Sequence, residues 1–172
     1  IQRIEVLNGP QGTLYGKNAP AGLISIFTNN PTMNEFGGYI TSSYSSWDTS
    51  NNMAALDIPL VEDQLAFRIA GMYARSDGYM DNAVPGVNEA NGKDHKGYRA
   101  KLLWQPTDNM DFLLSYYHAD LTTEDNGESY KGPVPDERGL SDYTSQYDDY
   151  KVYKGIPSFS DTKVDDVNFN WQ

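Results

Sequence analysis

Residues 65–76 read Leu65-Ala66-Phe67-Arg68-Ile69-Ala70-Gly71-Met72-Tyr73-Ala74-Arg75-Ser76. Side chains on a strand alternate between its two faces. Leu65, Phe67, Ile69, Gly71 and Tyr73 therefore share one side, while Ala66, Arg68, Ala70, Met72 and Ala74 share the other. One face is greasy and the other carries Arg68. Residues 97–105 repeat the pattern, with Tyr98, Ala100, Leu102 and Trp104 opposing Arg99, Lys101, Leu103 and Gln105. In a β-sandwich such alternation separates core from solvent. In a membrane barrel it separates hydrocarbon from lumen, because a charge facing lipid near the midplane costs about 2–4 kcal/mol. Periodicity alone leaves both open.

Composition weights the choice. The 172-residue chain is 38% hydrophobic and 13% aromatic, with 13 Tyr against 6 Phe. A ring with a polar tip suits a surface that meets both lipid and water. No run of about 18 apolar residues is present, so a spanning helix is excluded. Spanning strands are not, since only every second residue of roughly 9–11 need be apolar, and a mean hydropathy of -0.64 is compatible with them. The absence of cysteine rules out disulfides and thiolate metal sites. A net charge of -11 disfavours nucleic acid as a partner.

Further strands are expected at 52–60, with Asn52, Ala54, Leu56, Ile58 and Leu60 on one face, and at 110–121. In the latter, Phe112, Leu114 and Tyr116 compete with Leu113, Tyr117 and Leu121, and the period does not choose. Residues 38–48 are Ser-rich and equally undecided. The connections alternate in length. Val61-Glu62-Asp63-Gln64 and Pro106-Thr107-Asp108-Asn109 are turn-sized. The segments 79–96 and 122–163 are long, the latter threaded with Gly and Pro. Short turns on one side and long loops on the other is the asymmetry of an outer-membrane barrel. The link 49–51 is short on the long-loop side, a mild exception.

The opening segment has a different texture. Ile4-Glu5-Val6-Leu7-Asn8-Gly9-Pro10-Gln11-Gly12-Thr13-Leu14-Tyr15-Gly16-Lys17-Asn18-Ala19-Pro20-Ala21-Gly22 leads into an apolar run, 23–28, closed by Asn29-Asn30-Pro31. Two short strands flanking a turn or short helix near 13–15 are expected. This stretch resembles the plug segment of TonB-dependent outer-membrane receptors, and the resemblance covers nearly all of residues 2–31. Gly9, Pro10, Gly12, Leu14, Tyr15, Gly16, Ala19 and Gly22 carry the motif, in a structural role. Asn8 stands where the family usually has Arg, which puts one plug-to-barrel contact in doubt, and Ala21 replaces the first of two paired glycines. Residues 58–79 and 98–106 are similar to the family's early barrel strands, less specifically.

The resemblance implies an all-β membrane protein. Residues 1–33 would end a small α+β plug, and residues 34–172 would supply about six strands of an antiparallel barrel of about 22 strands, with extracellular loops at about 79–96 and 122–163. It implies energy-coupled uptake of a scarce nutrient, such as a siderophore, across the outer membrane of a Gram-negative bacterium. The implied partners are outer-membrane lipid, the transported ligand, and the TonB complex through a segment upstream of Ile1. Ile1 opens directly on a strand pattern and Gln172 ends one in mid-stride, so a fragment is expected. A secreted or surface β-rich binding module without transport is the alternative.

Sharper chemistry finds little support. Gly12 to Lys17 misses the phosphate-loop spacing, because three residues separate Gly12 from Gly16 and Asn18 follows Lys17. His95 and His118 have no second histidine at ligand spacing, and no nucleophile motif occurs. Neither enzyme, metal nor cofactor is expected. Within the acidic loop, Tyr130, Tyr143, Tyr147 and Tyr150 are candidate ligand contacts, since tyrosine offers stacking and hydrogen-bonding area at low entropic cost. A Ca²⁺-binding loop is a further alternative, and a merely solvated acidic loop is the competing possibility.

Overall fold

A computed structural model describes residues 1–10, 21–79, 81–82, 91–124, 151–152 and 159–172. Strands β1 (Arg3–Asn8) and β2 (Gly22–Phe27) pair antiparallel into a small first sheet. The turn or helix expected near 13–15 lies outside the described residues, as do Gly12, Leu14, Tyr15, Gly16 and Ala19.

The main sheet has six antiparallel strands: β3 (Gly37–Ser45), β4 (Thr49–Val61), β5 (Leu65–Ser76), β7 (Lys93–Thr107), β8 (Met110–Glu124) and β10 (Phe159–Trp171). Each pairs with its neighbour along the chain, giving an up-and-down meander. The two-residue strands β6 (Asp81–Asn82) and β9 (Lys151–Val152) pair parallel to one another. At 12 to 15 residues, β4, β5, β7, β8 and β10 exceed the roughly 9–11 that cross a bilayer.

Strand ends depart from the sequence expectations in three places. Strand β7 reaches back to Lys93 because Lys93, Asp94, His95 and Lys96 pair with Ser76, Arg75, Ala74 and Tyr73. Strands β8 and β10 likewise extend into the expected loop 122–163, where Glu124 pairs with Phe159. The first link lies at 46–48, not 49–51. There Trp47 and Asp48 both have positive φ, 60° and 47°, and Thr49 N donates to Ser46 O at 3.3 Å. Both residues thus lie in the left-handed region that tight hairpin turns with positive φ use.

The register fixes every face. On the inner face, Asp57, Arg68, Lys101, Ser115 and Asn168 form one row across the sheet, and Ala55, Ala70, Arg99, Tyr117 and Asp166 form the next. On the outer face, Ile58, Phe67, Leu102, Leu114 and Phe169 line up, with Leu65, Trp104, Phe112 and Trp171 beside them. The strand whose facing the sequence left undecided is thereby settled. Phe112, Leu114 and Tyr116 point outward, and Leu113, Tyr117 and Leu121 point inward.

Burial runs opposite to that of a soluble sheet. Among the described residues of the main sheet the buried apolar side chains are all alanines: Ala55, Ala66, Ala74 and Ala119. The large ones are out. Ile69 is 42% exposed, Trp104 47% and Phe169 60%. In a sandwich, Phe67, Ile69 and Trp104 would be clamped between two sheets. Instead they form an open apolar surface that water would not tolerate and lipid would.

Candidate functional site

The inner face has a charged centre. Asp57 and Arg68 sit opposite each other on β4 and β5, and Lys101 follows in register on β7. All three are buried, at 7%, 9% and 8% exposure. Alternation places them there: their outward neighbours Leu56, Ile58, Phe67, Ile69, Ala100 and Leu102 claim the greasy side. The Arg68 guanidinium donates to Asp57 Oδ2 in an ion pair. Asp57 Oδ1 has no hydrogen-bond partner among the described residues.

Lys101 reaches away from its own sheet. Its Nζ donates to Thr28 O at 2.9 Å and to Asn30 Oδ1 at 2.9 Å, the segment that leaves β2. Pro31, just beyond, is buried. The chain connecting the first sheet to the main sheet is thus fastened to the inner face 71 and 73 residues along the sequence. One row further on, the Arg99 guanidinium lies 4.4 Å from the Tyr117 ring centroid, a cation–π contact that keeps the second inward cation against the wall.

The outer face is zoned. Next to the short turns, Trp104 stacks on Phe112 at 5.2 Å between centroids, and Phe112 on Phe169 at 6.3 Å. Toward the long connections the surface turns polar. Lys96 Nζ lies 3.4 Å from Asp120 Oδ2 and Lys163 Nζ 4.0 Å from the same oxygen. Between the levels of Trp104 and Lys96 lie eight residues of β5, about 27 Å of strand, or about 20 Å of height at the usual barrel tilt. That approaches the apolar band of an outer-membrane barrel, bounded by an aromatic girdle at one edge and ion pairs at the other.

The sequence candidates divide accordingly. Gly9 and Gly22 flank the first sheet with positive φ, 86° and 139°, and Pro10 follows Gly9. Tyr130, Tyr143, Tyr147 and Tyr150 lie outside the described residues. His95 Nε2 is 2.9 Å from Thr123 Oγ1, and His118 Nδ1 is 2.8 Å from Asp165 Oδ1. The Asp57–Arg68–Lys101 row was not singled out from sequence. Its signal was present in the lone inward acid of β4 and the inward cations of β5 and β7.

Comparison with known proteins gives concordant matches. No protein-family profile matches the chain. The ferrioxamine receptor of Yersinia enterocolitica is 26% identical over 178 residues, covering 97% of this chain and 23% of that protein. The pesticin receptor of Yersinia pestis is 34% identical over 108 residues, covering 63% of this chain and 16% of that protein. Among solved structures, the ferric-catecholate import receptor Fiu from E. coli K12 in its open form superposes with a TM-score of 0.72 at 20% identity, covering 98% of this chain and 25% of that one. The siderophore receptor PirA from Acinetobacter baumannii gives 0.55 at 25% identity, with 93% and 23% covered. The chain spans less than a quarter of the length of the curated relatives it matches.

Proposed function

Because this chain belongs to the TonB-dependent receptors, we propose that the whole receptor sits in the outer membrane of a Gram-negative bacterium and imports a ferric siderophore by energy-coupled transport. Residues 1–33 end its plug. Residues 34–172 begin its barrel, with the segments at about 79–96 and 122–163 facing outside. The observation that carries this is the inverted sheet: large apolar side chains outward, charges inward, and the inward lysine bonded to the chain emerging from the first sheet.

The proposed mechanism is gated passage. Ligand binding outside is transmitted through the plug, and the TonB complex, gripping a segment upstream of Ile1, draws plug structure away from the wall. Tyr130, Tyr143, Tyr147 and Tyr150 are proposed ligand contacts on the outside, where aromatic rings and phenol hydroxyls meet a chelate. No catalytic step is required, and the relatives are receptors.

Radio-iron uptake tests the function. Cells carrying the whole receptor, with and without TonB, receive ferrioxamine or a ferric catecholate, the chelate classes named by the relatives. The expected result is TonB-dependent accumulation with one of them. Accumulation no greater than in receptor-free cells with both would refute the siderophore reading.

A further inference from the structure

We propose that Lys101 is a positioning residue that latches the chain leaving the first sheet onto the barrel wall, so that the part of the receptor that can be drawn away ends at Thr28. The inference rests on the transport reading above and adds where the moving part stops.

Three observations carry it. Lys101 spends two of its three N–H donors on residues 28 and 30 and, among the described residues, on nothing in its own sheet. It is 8% exposed, and the two bonds are part-buried although Asn30 itself is exposed, so water competes for them less than at an open surface. Its cross-strand neighbour is Arg68, and Arg99 is the next inward cation on its own strand; Asp57 pairs with Arg68 and offsets part of that like-charge repulsion. The outcome is a cation held at the wall and free to bond the passing chain. Past Thr28, residues 29–36, with Asn30 itself part of the latch, lead without regular structure into β3 at Gly37. Without it, a pull on the plug would also straighten these residues before reaching a strand held by a full ladder.

The difference is measurable as length. Residues 29–36 span about 28 Å when extended. The whole receptor, reconstituted in a bilayer, is pulled from its periplasmic side through a bound TonB periplasmic domain, and the extension released before the barrel yields is recorded. Lys101→Met is expected to lengthen that step by up to about 28 Å, less the distance these residues already span in the folded receptor, with Lys101→Arg restoring the original length. Heat-modifiable migration confirms an intact barrel. Should Lys101→Met not assemble, Asn30→Ala removes one of the two contacts and serves in its place, with the same step appearing at lower force. Equal step lengths and forces in all variants would overturn the latch alone. Absence of any plug step before barrel rupture, in the original receptor too, would overturn the transport reading and the latch with it.

Discussion

Asp57 and Arg68 face each other in register across β4 and β5, an ion pair buried on the side of the sheet that the connecting chain crosses. Forming such a pair brings little net stability, because desolvation offsets the attraction. Breaking one strands a buried charge, at a cost of about 3–5 kcal/mol. Arg68→Met in the whole receptor is therefore expected to lower stability by about that much, read as the urea midpoint of detergent-refolded protein. The double variant Asp57→Leu, Arg68→Met is expected to recover most of the loss. A single variant as stable as the original would mean that the pair is not desolvated.

The outer face makes a depth-dependent prediction. Ile69 lies in the apolar band, whereas Tyr73 shares its row with Lys96 at the polar edge. Ile69→Arg is expected to destabilise by about 2–4 kcal/mol, and Tyr73→Arg by about 0–1. Equal costs at the two positions, measured by the same unfolding assay in lipid, would contradict the placement of the band.

The faces of β4, β5 and β7 were legible in the sequence because alternation survives without knowledge of partners. Leu56, Phe67 and Trp104 sit where period two put them. Pairing was not legible, and the turn 62–64 explains why. Counting outward from Val61 opposite Leu65 would set Asp57 against Ile69, on the wrong face. A register shift between Pro59 and Val61 moves the ladder by one residue and brings Asp57 to Arg68. A matching shift between Trp104 and Thr107 brings Trp104 to Phe112. One residue decides which side every later partner lies on, and nothing in Glu62-Asp63-Gln64 announces it. β8 was ambiguous for a related reason: its inward Leu113 and Tyr117 are as apolar as its outward Phe112 and Leu114. Only the pairing with Lys101 and Arg99 through Ser115 and Tyr117 settles it. The Lys101 contacts could not be read at all, since they span more than 70 residues.

Tryptophan depth offers a check that needs no unfolding. Trp104 lies on the outer face beside Phe112, while Trp47 sits in the turn that ends β3, edge-on to Tyr79 at 6.2 Å. In whole receptors whose single tryptophan is either Trp104 or Trp47, with Trp171 and every other tryptophan replaced by Phe, lipids brominated on the upper acyl chain are expected to quench Trp104 strongly and Trp47 weakly. Aromatic residues at a membrane boundary sit at headgroup level, so the contrast locates the short-turn edge of the sheet at that boundary. Strong quenching of Trp47 would place the 46–48 turn within the bilayer and displace the whole band.

Two glycines separate a backbone constraint from open space. At Gly22, φ is +139° and a Cβ would stand 2.5 Å from Leu7 O, so any side chain meets both an unfavourable backbone and its partner strand. Leu7 and Asn8 pair with Leu23 and Gly22, which puts the clash at the end of the β1–β2 ladder. At Gly71, in the middle of β5, the nearest atom to an added Cβ is Gly97 O at 3.8 Å, an ordinary contact. Gly22→Ala is expected to loosen the first sheet and leave the wall intact: in hydrogen exchange on the whole receptor, amides of residues 3–8 and 22–27 lose protection while those of 52–76 keep theirs. Gly71→Ala is expected to change neither, its methyl pointing outward among Ala54, Ile40 and Tyr98 in the same row. Loss of protection in β4 and β5 from the Gly22 substitution would show that the two sheets open as one unit, and that the first sheet cannot leave the wall while the barrel stands.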